Sequence, residues 1–129
     1  MKKLIFAAIL TIFVSCNKDE PYTPPSDPKQ AILGKWELIE LGVGGVTEPY
    51  KANRSIEYLE DSTMIYYYYD TKEYIVFDCI YWIDSLLYHG SYDKTNVIEY
   101  SYKFYEDKMW LQYVNFFSTF DTFIYQRKK

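Results

Sequence analysis

Few side chains in this 129-residue sequence could do chemistry. There is one histidine, His89, and there are two cysteines, Cys16 and Cys79. One imidazole cannot build a multi-histidine metal site, and no cysteine pair with metal-ligand spacing exists, so no metal or other cofactor is expected. No Gly-x-Ser-x-Gly elbow, phosphate-binding glycine loop or dinucleotide fingerprint occurs. Asp78 and Asp84 flank an aromatic stretch and would suit glycoside chemistry if brought together. Spacing alone does not bring them together, and a non-catalytic role is expected. His89, beside Gly90 near the end of a β-like run, reads as a surface or edge residue without a role. Cys79, inside an apolar run, reads as a small buried hydrophobe.

Aromatic density is the one unusual lead. Sixteen Tyr, eight Phe and three Trp make up 21% of the chain, which favours pleated, half-buried surfaces. Tyr66, Tyr67, Tyr68 and Tyr69 are consecutive, so a strand there places tyrosine on both faces. Cross-strand tyrosine pairs are one reading. The other is an aromatic platform or pocket for a small apolar or glycan ligand, with phenol hydroxyls orienting it. A patch for a protein partner fits equally well. Strand alternation nominates Tyr66, Tyr68, Tyr100, Tyr102 and Trp110 as ligand-binding residues.

The first sixteen residues carry a different chemistry. Lys2 and Lys3 precede an 11-residue apolar run, 4–14, too short for a bilayer span of about 20 residues, so residues 1–15 read as a signal peptide. The run closes on Phe13-Val14-Ser15-Cys16, which resembles the bacterial lipobox, with Phe13 standing where that motif more often has Leu. Ordinary secretory cleavage is the alternative. The resemblance implies that the Cys16 thiol is diacylated; two or three acyl chains anchor durably where one binds only marginally. Asn17-Lys18-Asp19-Glu20 resembles the export signal of Bacteroidetes lipoproteins, which implies the outer face of the outer membrane, and otherwise reads as a solvated tether. Four prolines between Pro21 and Pro28 make the tether, 16–29, a stiff spacer. Without residues 1–15 the chain keeps 12 basic and 18 acidic residues, a formal charge of −6. It has no basic stripe, which argues against nucleic acid and against electrostatic adhesion to anionic lipid. Once Cys16 is acylated, Cys79 has no partner for an intrachain disulfide.

What remains, 30–129, must position the aromatics. Asp27 before Pro28 predicts one short helical turn with a capped start. From Gly34 onward short apolar runs alternate with polar turns at hairpin spacing. Strands are predicted over 36–43, 54–60, 63–70, 74–77, 79–84, 87–92, 97–105, 109–114 and 120–127. The fourth and fifth count as one bent strand, which makes eight. In 97–105, Ile98, Tyr100, Tyr102 and Phe104 share one face. In 120–127, Phe123, Tyr125 and Arg127 share a face less cleanly. Parallel strands need crossovers of about a dozen residues, and only 44–53 approaches that length, so the sheet is an antiparallel meander. Closing it into a barrel removes its exposed edges.

Gly34-Lys35-Trp36 after a helical turn resembles the lipocalin signature, and the chain from about Gln30 to Lys129 resembles the lipocalin-like domains of Bacteroidetes lipoproteins. Ile56-Glu57-Tyr58, Met109-Trp110-Leu111 and Phe123-x-Tyr125-x-Arg127 carry the same likeness. The resemblance implies an all-β fold: an eight-stranded antiparallel meander barrel. It also implies that Trp36 plugs one end of the barrel with Arg127 across it. The strands are short and the inward residues bulky, so such a barrel either holds one small ligand or is filled by its own side chains. The first case implies a binding lipoprotein. The second implies a protein-interaction or envelope-structural module with no ligand.

Overall fold

The computed structural model describes residues 21–75 and 79–129. The expected signal peptide, Cys16, the charged residues Lys18 to Glu20 and Asp78 lie outside the described residues. Among those described, no helix is long and apolar enough to cross a membrane.

The described residues are all-β apart from one turn of helix, α1 (Pro28–Ala31). The Asp27 side chain caps α1 by accepting a hydrogen bond from Lys29 N at 3.0 Å, and Pro28 occupies the first turn, where its missing N–H costs nothing. Ten antiparallel strands follow: β1 (Gly34–Val43), β2 (Val46–Pro49), β3 (Arg54–Tyr58), β4 (Met64–Tyr68), β5 (Glu73–Ile75), β6 (Ile80–Ile83), β7 (Leu87–Gly90), β8 (Val97–Tyr105), β9 (Lys108–Tyr113) and β10 (Thr122–Arg127). They form one curled sheet in the order β5-β4-β3-β1-β10-β9-β8-β7-β6, with β2 paired to β1 beside that path.

Two differences from the predicted strands have local causes. Gly44 and Gly45 have φ of +64° and +86°, the left-handed pair that a tight hairpin turn needs, so residues 46–49 return along β1 as β2 where a loop was expected. The predicted bent strand over 74–84 is instead β5 and β6, which sit at opposite ends of the strand order. From Tyr66 onward β4 gives its outer edge to β5, through Tyr66 opposite Ile75 and Tyr68 opposite Glu73. At its start it meets the other end of the sheet. Thr63 bridges Ile80, Met64 N donates to Cys79 O at 3.2 Å, and Tyr81 N donates to Ser62 O at 2.9 Å.

Side-chain alternation buries one face of this curl. Trp36, Leu38, Ile56, Tyr58, Met64, Leu87, Met109 and Leu111 are each no more than 1% exposed and belong to one cluster. Ile98, Tyr102 and Phe104 pack against it and Tyr100 lies within it, on the face that alternation assigns them. β10 is less clean because both of its faces are covered. Phe123 and Tyr125 enter the core, while on the other face Thr122 Oγ1 accepts a hydrogen bond from Gly45 N, and just before the strand Asp121 Oδ1 accepts one from Gly44 N.

One end of the curl is sealed by a compact set of contacts. The Trp36 indole donates from Nε1 to Ile32 O at 2.8 Å. The Arg127 guanidinium lies 4.5 Å from the Trp36 ring and donates to Leu33 O at 2.9 Å and Ala31 O at 2.7 Å. It thereby satisfies carbonyls at the end of α1 that have no partner within the helix. Gly34 has φ of +114°, and a Cβ there would meet Arg127 Nη1 at 3.0 Å, so a residue with a side chain would be strained and crowded. Trp36→Ala is therefore expected to cost about 3–5 kcal/mol and to abolish cooperative thermal unfolding followed by circular dichroism. Arg127→Met is expected to cost about 2–4 kcal/mol through the lost charged hydrogen bonds and ring contact. An unchanged melting temperature in either variant would remove this end as the anchor of the fold.

Candidate functional site

Of the five nominated ligand residues, the structure brings together Tyr66, Tyr68 and Tyr100 and separates the other two. Tyr66 and Tyr68 project inward from β4 with nearly parallel rings 6.5 Å apart. Tyr100 is inward on β8 but buried, its ring 4.6 Å from His89 and 5.2 Å from Tyr113, so it is core and not lining. Tyr102 is inward but tied down, its hydroxyl donating to Asp84 O in the turn before β7. Trp110 is corrected outright. Its neighbours Met109 and Leu111 are buried, so alternation turns Trp110 to the outer face, in register with Lys103 and Ile124. The other half of the tyrosine run, Tyr67 and Tyr69, also faces outward. Tyr67 packs 4.5 Å from Tyr74, and the Tyr69 hydroxyl bonds Glu37 and receives Lys128 Nζ.

The largest correction concerns His89. It is 6% exposed, not a surface or edge residue. Leu87 and His89 share the inward face of β7, so a strand start that buries Leu87 buries His89 as well. Its Nε2 hydrogen-bonds the Tyr58 hydroxyl at 2.7 Å, and its Nδ1 meets the Tyr66 hydroxyl at 3.3 Å. A neutral imidazole offers one donor and one acceptor, and a phenol can serve either. The trio Tyr58–His89–Tyr66 thus joins β3, β4 and β7 across the inside of the curl. Burial pulls the His89 imidazole down from its ordinary value to about 3, so it stays neutral at physiological pH.

Over this trio lies an open cavity of about 630 Å³, on the side where β4 and β7 are not joined by strand pairing. Met64, Tyr66, Cys79, His89, Ile98 and Phe116 line it together with Ser91 and Asn96. Cys79 is half-buried at this cavity and not sealed in the core as expected. A second cleft of about 650 Å³ lies outside, between α1 and β6, lined by Lys29, Gln30, Glu60, Trp82 and Asp84 among others. Trp82 has the aromatic character a sugar would stack on. Its ring is already occupied by Tyr88 at 5.0 Å, nearly parallel, and by Lys94 at 4.8 Å. Asp84 accepts hydrogen bonds from Ser85 and Leu86 within its own turn. Among the described residues no cluster of three potential metal ligands occurs.

No family model matches the chain, and no curated protein matches it.

The inner cavity combines apolar walls with a neutral imidazole and the phenol of Tyr66. The buried histidine makes a pH prediction. Its folded value lies below its unfolded value of about 6.5, so the unfolded chain binds the extra proton between those values. Stability is then full above about pH 6.5 and falls as pH drops toward 3. The contribution lost between pH 7 and pH 5 is about 2 kcal/mol. In His89→Gln the drop in unfolding free energy over that interval, measured by denaturant titration, is expected to shrink by that amount. An identical pH profile would place His89 outside the core.

Proposed function

We propose that the chain is a membrane-anchored lipoprotein whose lipocalin-like domain takes up one small, largely apolar ligand without transforming it. The observation that carries this reading is the open cavity of about 630 Å³ above Tyr66 and His89. Its volume falls within the range of small-molecule pockets, and its lining combines apolar walls with a few convergent polar groups. We read the curl as a closed barrel. With β2 and β5 set aside as hairpin arms, eight strands run β4-β3-β1-β10-β9-β8-β7-β6, and the Thr63–Ile80 bridge is the closing seam. One bridge is a short seam, and the cavity occupies the stretch where it does not extend.

The lipoprotein part of the reading rests on the leader: two lysines, the apolar run, and Ser15 before Cys16. Acyl chains on Cys16 would hold the domain at the outer membrane, and the charged residues that follow favour the cell surface of a Bacteroidetes-type envelope. A second reading has a specific observation behind it. Val114, Phe116, Phe117 and Phe120 are exposed between β9 and β10, with Phe117 fully so. Such a group suits a protein partner, and the domain would then serve as an interaction or envelope-structural module.

An environment-sensitive apolar fluorophore titrated into the full chain carrying Cys16→Ser tests the first reading. Saturation near one probe per chain with a raised melting temperature is expected, and Ile98→Trp, which fills the cavity, is expected to abolish it. A folded chain that shows no saturable binding supports the module instead. For the anchor, labelled palmitate is expected to enter the wild-type chain and not Cys16→Ser, and the variant is expected to leave the membrane fraction. Equal membrane retention without label would rule out acylation.

A further inference from the structure

A neutral imidazole carries one proton, and the surroundings of His89 decide which ring nitrogen holds it. Tyr58 is 1% exposed, and among the described residues His89 Nε2, at 2.7 Å, is the one hydrogen-bond partner of its hydroxyl. A buried hydroxyl proton without an acceptor is costly, so Tyr58 donates to Nε2. The ring proton then sits on Nδ1, which donates to the Tyr66 oxygen at 3.3 Å. The reverse order, with Tyr66 donating to Nδ1 and Nε2 to Tyr58, strands the Tyr58 proton in the core. In the favoured order the proton left over is that of Tyr66. Tyr66 lines the open cavity, so its proton can be met from there. Cys79, beside Tyr66 on the same lining, offers sulfur, which is a weak acceptor.

The rest of the lining offers no charge to a ligand. None of the described residues that line the cavity is charged, the His89 imidazole being neutral. The turn over 91–96 supplies Ser91, Thr95 and Asn96 to the lining and holds two charges of its own, both engaged elsewhere. Asp93 Oδ1 accepts hydrogen bonds from Ser91 Oγ at 2.7 Å and Thr95 Oγ1 at 2.8 Å. Lys94 Nζ lies 4.8 Å from the centre of the Trp82 ring. An ionic group brought into such a lining loses its water and gains no counter-ion. An uncharged oxygen acceptor gains the Tyr66 donor.

Resting on the pocket reading above, we propose that the ligand is an uncharged apolar molecule bearing a carbonyl oxygen, which accepts a hydrogen bond from the Tyr66 hydroxyl while its apolar part lies against Met64, Ile98 and Phe116. Tyr66 is then the residue that selects the polar group. His89 and Tyr58 act through it, by fixing the direction of its hydrogen bond. Carboxylates and ammonium ions of equal length meet the same walls but find no partner for their charge.

The test uses the full chain carrying Cys16→Ser. The chain has one histidine, so nitrogen NMR of histidine-labelled protein reads this imidazole alone; the proton is expected on Nδ1. In parallel, 2-octanone, octane, octanoate and octylammonium compete near pH 7 with an apolar fluorophore. Octanone is expected to bind about ten-fold or more tightly than either ion. Tyr66→Phe keeps the ring against Tyr68 and is expected to weaken octanone several-fold while octane binding stays unchanged. If that variant does not fold, the ring tautomer and the two ions decide the matter in the Tyr66 chain. A proton on Nε2, an ion that binds as tightly as octanone, or octanone binding that Tyr66→Phe leaves intact overturns the carbonyl site, and continued binding of octane and the fluorophore leaves the pocket standing. A folded chain that binds neither the fluorophore nor any of the four overturns both.

Discussion

The seating of Arg127 on Trp36 is the contact on which the rest of the structure depends. It is made between the last strand and the first, so it ties the two ends of the domain together. Through Leu33 O and Ala31 O it also fixes α1 over that end of the sheet. The geometry has little slack. Gly34 is held at positive φ directly beneath the guanidinium, where a Cβ would intrude. Once β1 lies beside β10 in this register, Leu38 falls opposite Tyr125 and the inward face of every later hairpin is determined by its turn. A domain of about a hundred residues buries a modest share of its surface, so a local contact of several kcal/mol is a large part of its net stability.

Above that sealed end the interior is filled with tyrosine rather than aliphatic side chains, and this has a price in polar groups. Each buried hydroxyl needs a partner. Tyr81 donates a hydrogen bond to Leu59 O, Tyr58 and Tyr66 share His89, and Tyr125 meets Arg54. The result is a polar layer between the apolar base around Leu38, Met109 and Leu111 and the open side of the curl. Burial pushes the Tyr58 and Tyr100 phenols well up and the His89 imidazole down, so the layer is uncharged apart from Arg54.

The cavity itself arises from how β4 spends its edge. Near Met64 that edge meets Cys79 and Ile80, while from Tyr66 onward it is taken by β5. The hairpin arm therefore prevents β4 and β6 from pairing along their length, and the space left is walled by side chains from β4, β7 and β8. How far the sheet closes in this fold is settled by one short strand.

The sequence by itself determined the class of fold and most of its elements. The polar turns at hairpin spacing, the capped Asp27-Pro28 start and the clean alternation of Ile98, Tyr100, Tyr102 and Phe104 are local signals, and local backbone chemistry is enough to read them. It also placed Trp36 and Arg127 as candidates for contact through a motif at each end. Parity alone could have turned His89 inward, since it alternates with the apolar Leu87, but a polar side chain outweighed that signal. Only the tertiary structure decided which strands meet around the curl, and with it the site. Trp110 went outward because Met109 and Leu111 took the core, and half of the tyrosine run went outward because a strand has two faces. Tyr58, Tyr66 and His89 converge because three strands distant in sequence curve to face one another, and curvature is a property of the assembled sheet that no single segment encodes.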